Sequence, residues 1–298
     1  MKILIADDDP VSLLYLEDAL QDWGYQVIAV PDGRSAHDIL RGPDAPLLAI
    51  LDWMMPGMDG IDLCRMIRSS GHDRYTYVIM LTSRTETAFI VEAMTAGADD
   101  FISKPFHIEE LEVRVRAGKR ICELEQQLRL RATHDALTGI YNRGAIIDIL
   151  QRELARHQRD GAGLAVLFAD LDHFKRINDE YGHLAGDAVL CEVSRRIALT
   201  LREYDCLGRY GGEELMAVLP ACDGAGALEV AERVRKTVCT EAIVHDGGAI
   251  AVSVSIGVAV LTGQGGQHGA TVKHLIQRAD LALYAAKNGG RNRVVLAD

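Results

Sequence analysis

Through the first third of the chain, short apolar runs alternate with amphipathic stretches. KILIAD, YQVIAV, LLAILD, YVIMLT and DFIS read as strands, and the segments between them carry the three-to-four spacing of helices. That alternation predicts an α/β domain built on an open, doubly wound, five-stranded parallel sheet with helices on both faces. In such a sheet, chemistry gathers beyond the carboxyl ends of the strands. Three runs end there on polar groups: Asp7, Asp8 and Asp9 after the first, Asp52 after the third and Thr82 after the fourth. Lys104 follows the fifth.

From Ile108 to about Ala132 no proline and no turn cluster beyond Gly118 interrupts the chain, and Leu111, Val115, Ile121, Leu124 and Leu128 recur at helical spacing. One continuous helix is predicted. Two readings fit it: the last helix of the first domain with a solvated tail, or a coiled-coil stalk through which two protomers pair.

Beyond Asp135 the pattern changes. GLAVLFADLDHF, LGRYGG, ELMAVLP, AIAVSVSIGVAVL and NRVVL read as strands, and AIIDILQREL, DAVLCEVSRRIALTL, GALEVAERVRKTV and VKHLIQRADLALYAAK as helices. Strands partly in hairpins and partly split by helices predict an α+β domain with a mainly antiparallel sheet. Gly211 and Gly212 mark a two-residue hairpin turn, and Asp135 and Thr138 read as helix caps. The expected organisation is a first domain at residues 1–118, a helical coiled-coil linker at 119–134 and a second domain at 135–298, with GQGGQHG near residue 266 as a flexible loop.

Composition narrows the function classes. A chain of 298 residues with 48% hydrophobic and 25% charged positions suits two ordinary globular domains. No apolar run is long enough for a bilayer, and MKILIADDDP puts carboxylates where a signal peptide needs small residues. A cytoplasmic protein without membrane contact is expected. The six cysteines are scattered without a Cys-x-x-Cys pair, so they read as buried thiols rather than zinc ligands. A net charge of −11 opposes nucleic-acid binding, and it means that a phosphate ligand would need metal ions to offset repulsion.

The first acidic cluster has the chemistry of a phosphoryl acceptor. A carboxylate that attacks a phosphoryl dianion needs a divalent cation held by neighbouring carboxylates, and Asp7, Asp8 and Asp52 supply an oxygen-rich cage. Lys104 and Thr82 are placed to meet the transferred group. Through ADDDP, LAILDWMMPGMDG, IMLTSR and DDFISKPF the chain closely resembles the response-regulator receiver family, with its CheY-like, flavodoxin-like fold, over residues 1 to about 118. The resemblance implies that Asp52 is phosphorylated by a cognate histidine kinase. It further implies that Asp7, Asp8, Asp52 and the Met54 carbonyl bind the metal, that Thr82 and Phe101 switch with Lys104, and that the Lys104–Pro105 bond is cis.

The second cluster lies in FADLDHFKRINDEYGHLAGD and RYGGEEL. Joining a 3′-hydroxyl to an α-phosphate with loss of pyrophosphate needs metals that clamp the attacking and leaving oxygens, and cations for the triphosphate. Asp170 and Glu213 suit the metal, and Gly211 and Gly212 let a nucleotide approach the backbone. From HDALTGIYNR to AAKNGGRNRVV the chain resembles the GGDEF family of diguanylate cyclases, whose palm-like sheet is related to that of adenylyl cyclases. The resemblance implies condensation of two GTP into cyclic di-GMP in a homodimer, with Mg2+ or Mn2+ held by Asp170, the Leu171 carbonyl and Glu213, supported by Glu214. It makes Glu213 the base for the 3′-hydroxyl. Asn178 and Asp187 would meet guanine, and Lys175, Lys287 and Arg291 the phosphates. A carboxylate at Asp187 can accept from both N1 and N2 of guanine, which favours GTP over ATP. The name motif stands here as GGEEL: Glu213 for Asp keeps the charge, and Leu215 for Phe alters only packing.

Arg202 and Asp205, an Arg-x-x-Asp ahead of the hairpin, form a helix-end ion pair in one reading. By the family resemblance they form a product-inhibition site for cyclic di-GMP. The rival reading of the second domain is a catalytically silent cyclic di-GMP-binding module. Such modules usually lose one of Asp170, Lys175 and Glu213, and all three are present here.

Overall fold

The computed structural model describes residues 1–42, 44–69, 75–83, 87–262 and 271–297, so the GQGGQHG loop lies outside the described residues. The chain divides into two compact units, Met1–Leu128 and Arg129–Asp298.

The first unit runs β1 (Lys2–Ala6), α1 (Pro10–Asp22), β2 (Gln26–Val30), α2 (Gly33–Leu40), β3 (Leu48–Asp52), α3 (Gly60–Ser69), β4 (Tyr77–Thr82), α4 (Thr87–Ala96), β5 (Asp100–Ser103) and α5 (Ile108–Thr133). All strand pairs are parallel, in the order β2-β1-β3-β4-β5. The central strands β1, β3 and β4 are almost wholly apolar and buried because both faces of the sheet are covered there. Ile3, Ile5, Ile50 and Ile79 pack with Leu16 and Leu20 of α1 and Leu111 and Val115 of α5. Leu4, Ala49, Leu51 and Met80 pack with residues of α2, α3 and α4. The order reverses between β1 and β3, which opens a crevice at their carboxyl ends. Asp7 and Asp52 stand there.

Helix α5 buries Leu111, Val115, Gly118 and Cys122. A Cβ at Gly118 would collide with Tyr77 and Leu48, and the Cys122 thiol donates to the Leu47 carbonyl at 3.0 Å. Packing of the first unit therefore reaches Cys122, four residues past residue 118. Beyond it Leu124, Leu128 and Leu130 are exposed at 49%, 60% and 48%.

The second unit runs α6 (Arg143–Asp160), β6 (Leu164–Leu171), α7 (Phe174–Tyr181), α8 (His183–Thr200), β7 (Cys206–Gly211), β8 (Glu214–Pro220), α9 (Gly224–Thr240), β9 (Ile243–His245), β10 (Gly248–Ile250), β11 (Val254–Leu261), α10 (Val272–Asn288) and β12 (Val294–Leu296). Its five-stranded sheet has the order β12-β11-β6-β8-β7, antiparallel except for the β11–β12 edge. Alternate residues of β6 enter two cores. Ala165, Leu167, Ala169 and Leu171 face α7, α8 and α9, whereas Leu164, Val166 and Phe168 face α6 and α10.

Two local expectations change. AIAVSVSIGVAVL does not form one strand: its first residues join β10, which pairs with β9 around Asp246 and Gly247, both at positive φ. Asp-Gly at that turn is the signature of a two-residue hairpin. The hairpin between β7 and β8 turns on Gly212 and Glu213, because Gly211 still pairs with Glu214. Among the described residues no helix is long and apolar enough to cross a membrane.

Candidate functional site

In the first unit, Asp7 follows β1 and is fully buried, and Asp52 is the last residue of β3. One oxygen from each of Asp7, Asp8 and Asp52 lies within 4.8 Å of the others. This hard-oxygen trio fits a magnesium-sized cation. Lys104 reaches into the same place, its Nζ 2.6 Å from Asp7 Oδ2 and 3.0 Å from Asp52 Oδ2. Burial pushes the Asp52 carboxyl up from its ordinary value, and the Lys104 ammonium opposes that rise. The next residue, Asp9, turns away to cap α1, accepting from Val11 N at 3.1 Å.

Local geometry explains the flanking sequence. Trp53 N donates to Asp52 Oδ1 at 2.8 Å, and a Cβ at Gly60 would overlap the Asp52 carbonyl, so the loop between them closes only on glycine. Thr82 ends β4 at 2% exposure, and its carbonyl accepts from Lys104 N at 2.7 Å. Phe101 sits half-buried on β5 with the Arg114 guanidinium 5.9 Å from its ring centroid. Met54 is exposed, and the Lys104–Pro105 bond is cis.

In the second unit, Asp170 on β6 is directly opposite Glu214 on β8 and Ser255 on β11. Its Oδ2 lies 2.8 Å from Lys287 Nζ, at the carboxyl end of α10. Burial raises the Asp170 pKa, Lys287 counters this, and the charges of Glu213 and Asp172 add to the rise. Glu214 is likewise raised, by burial and then by Asp170. A crowd of carboxylates around one lysine is the charge pattern a divalent cation relieves. Among the described residues, however, only the first unit holds three ligand atoms as close as the Asp7 trio. Leu171 is buried at the end of β6, and Glu213 is half-buried in the hairpin turn.

Lys175 and Asn178 stand on α7 and Asp187 on α8, two helices joined at Gly182 with φ of 84°. Lys175 and Asp187 are exposed and Asn178 is half-buried. A Cβ at Gly186 would strike the Asn178 carboxamide, so the glycine in HLAGD makes room for that side chain. Arg291 follows α10 in an exposed turn at φ of 62°.

The pairing of Arg202 with Asp205 differs from a helix-end ion pair. Asp205 Oδ2 accepts from the Arg202 backbone N at 2.9 Å, and the Arg202 guanidinium bonds instead to the Tyr204 hydroxyl at 2.9 Å. Both side chains are thus presented from one tight turn. Arg233 on α9 holds the Thr200 carbonyl at 2.9 Å just ahead of it.

Asp135 and Thr138 do not cap a helix. Asp135 Oδ1 accepts from Thr138 N and Oγ1 at 2.9 and 2.7 Å, closing a loop, and it also meets Arg209 NH1 at 3.1 Å. Arg209 Nε in turn holds the Gly212 carbonyl at 2.8 Å. Sequence reasoning missed Arg209, whose only signal is its place three residues before the turn. It also left Asp172 without a role.

Family comparisons agree with this division. Residues 132–293 match the model described as diguanylate cyclase, GGDEF domain, and residues 3–116 match the response regulator receiver domain. Response regulator PleD of Caulobacter vibrioides is 34% identical over 258 residues, covering 83% of this chain and 56% of that one. Diguanylate cyclase DgcP of Pseudomonas aeruginosa is 40% identical over 174 residues, 58% of this chain and 25% of that one. The chain therefore spans about half, or less, of these relatives' own length. Among solved structures, the coiled coil and GGDEF domain of DgcB from Caulobacter crescentus, in complex with c-di-GMP, superimposes with a TM-score of 0.58 at 32% identity. That match covers 63% of this chain and 98% of that one. With more than half of its length in the match, this chain belongs to the GGDEF diguanylate cyclase family and carries a response-regulator receiver domain ahead of the GGDEF domain.

Proposed function

We propose that this chain is a phosphorylation-activated diguanylate cyclase that condenses two GTP into cyclic di-GMP and two pyrophosphates, working as a cytoplasmic homodimer. The observation that carries the reading is Asp170 set against Glu214 across β6 and β8, with Glu213 in the adjoining turn and Lys287 bonded to Asp170. Asn178 and Asp187 hold the guanine edge, while Lys175, Lys287 and Arg291 take the triphosphate. Asp170, the Leu171 carbonyl and Glu213 would hold Mg2+ or Mn2+, with Glu214 in support. The metal supplies charge neutralisation for in-line displacement.

Glu213 accepts the proton of the 3′-hydroxyl as the oxygen attacks the α-phosphorus. The bond to the bridging oxygen then breaks and pyrophosphate leaves with the electron pair. One site holds one GTP and the product contains two guanylyl groups, so two protomers must face each other about a two-fold axis. Monomers should be idle.

Asp52 takes a phosphoryl group from a histidine kinase, with Asp7, Asp8 and the Met54 carbonyl as metal ligands. Lys104, Thr82 and Phe101 respond to the new charge. The exposed apolar stripe of α5, Ile121, Leu124 and Leu128, suits pairing of two helices and would turn that response into proximity of two cyclase sites. Cyclic di-GMP returns to Arg202 and Asp205 as a feedback inhibitor.

The test is incubation of purified protein with GTP, Mg2+ and beryllofluoride. Cyclic di-GMP is the expected product, and Glu213→Gln should lose roughly a hundredfold or more of the rate. Binding of cyclic di-GMP without turnover in the parent would instead make the second domain a silent binding module.

A further inference from the structure

Asp172 stands two residues after Asp170, close enough for its charge to raise the Asp170 pKa, and it is only 5% exposed. Its oxygens accept from Ser253 Oγ and Ser255 Oγ, both at 2.7 Å, and from the backbone N of Asn292 at 3.0 Å. Its own N–H donates to the Ser253 carbonyl at 2.9 Å. One buried carboxylate thus ties together the end of β6, the start of β11 and the turn after α10.

That turn is unusual. Arg291 and Asn292 are consecutive non-glycine residues in the left-handed region, with φ of 62° and 44°. Such a conformation persists only where its surroundings over-determine it. Asn292 is held twice: by Asp172 at its backbone N, and at its side-chain Oδ1 by Arg235 NH1 of α9 at 2.8 Å. The next carbonyl, of Arg293, accepts from Ile256 N at 2.9 Å and feeds the chain into β12. Arg291 therefore leaves the backbone at a point pinned from its carboxyl side. It lies four residues beyond Lys287, past the end of α10, and the Lys287 Nζ is bonded to Asp170.

We propose that Asp172 and Arg235 are positioning residues for the nucleotide site, holding the Asn292 turn so that the Arg291 guanidinium is presented to the triphosphate. The inference rests on the diguanylate cyclase reading given above. Neither residue touches the nucleotide. Both act through Arg291, so their effect must vanish when Arg291 is gone.

The experiment measures affinity for a non-hydrolysable GTP analogue with Mg2+, by calorimetry on the full chain. Arg235→Ala and Asn292→Ala should each weaken binding about tenfold, in line with the loss of a charge-assisted hydrogen bond. Arg235→Lys, which keeps a donor, should recover most of that loss. In an Arg291→Ala background Arg235→Ala should add less than about twofold, since residues that act through one another are not additive. Parental affinity in Arg235→Ala, or an equal loss with and without Arg291, overturns the proposal. Because Asp172→Asn alters a buried group and can disturb folding, the decision rests on the Arg235 and Asn292 variants. If the parent itself fails to bind the analogue, the nucleotide-site reading falls and this inference falls with it, an outcome distinct from parental binding that the variants leave unchanged.

Discussion

The Arg209 guanidinium joins the Asp135 carboxylate, at 3.1 and 3.2 Å, to the Gly212 carbonyl at 2.8 Å, so the loop that opens the second unit is tied to the turn that carries Glu213. Desolvation raises the Asp135 pKa, but the bonds from Thr138 and Arg209 outweigh it and the net shift is downward, marking the carboxylate as charged in the fold. Arg209→Ala should loosen the turn by about 1.5–3 kcal/mol, the range for hydrogen bonds to charged groups. Hydrogen exchange at the Gly212 and Glu213 amides should speed up in proportion. Asp135→Asn should produce part of the same effect and add little to Arg209→Ala; independent effects would show that the two residues do not act as one clamp.

Lys104 occupies the centre of the receiver's acidic cluster, bonded to Asp7 and Asp52. Replacing it by methionine leaves buried like charges unpaired and should destabilise the metal-free first unit by about 3 kcal/mol. Mg2+ should then stabilise the variant more than it stabilises the parent, because no ammonium competes for the carboxylates. Thermal unfolding in chelator and in Mg2+ checks both halves, and an unchanged magnesium increment would contradict the competition.

Ile121, Leu124 and Leu128 are exposed, and in the function proposed above they carry the signal from receiver to cyclase without taking part in its reception. With all three changed to serine, acetyl phosphate should still label Asp52, whereas beryllofluoride should no longer raise dimer content in sedimentation or GTP turnover. Asp52→Asn should lose the labelling itself. Stimulation that survives in the triple variant would place pairing on another surface.

Arg202 offers its guanidinium from the Asp205 turn. Arg202→Ala should raise the concentration of cyclic di-GMP needed for half-inhibition roughly tenfold or more, consistent with loss of a charged contact. Initial rates without product should stay at the parental level. Unaltered sensitivity to added product would remove the inhibitory role.

Alkali should unfold the first unit early. Burial pushes the Cys64 thiol from 9.0 up to about 11 and the Tyr77 phenol from 10.0 up to about 12. Both groups are neutral in the fold and ionise more easily once it is lost. Their stabilising contribution is therefore complete below pH 9, erodes as pH rises past the unfolded values, and is gone above the folded ones. Phenolate absorbance and far-ultraviolet circular dichroism, followed together from pH 9 to pH 12, should change in one step. Ionisation of Tyr77 well before loss of helix would show the phenol to be accessible.

What the chain's linear pattern determined is whatever depends on periodicity and spacing. Continuous apolar runs required a sheet covered on both faces, and polar groups at the ends of those runs put Asp7, Asp52, Thr82 and Lys104 at one edge. The uninterrupted stretch from Ile108 to about Ala132 predicts the helix that the structure ends at Thr133. Two glycines beside Glu213 announced a hairpin, although only pairing of Gly211 with Glu214 moved its turn by one residue. The Asp246–Gly247 hairpin is equally written in the residues, but the longer apolar run that follows reads as a single strand and masks it.

Tertiary structure decided the partners of charges far apart in sequence. Arg209 finds Asp135 across 74 residues, Lys287 finds Asp170, and Asp172 collects Ser253, Ser255 and Asn292 from two other segments. Asp135 therefore looked like a helix cap, and Asp172 like one more acid in an acidic run. A hydrogen bond depends on an approach of about 3 Å and on the direction of its donor. Neither is set by local propensity; both follow only when the strands have taken their order and register and the helices have closed over the two faces of the sheet.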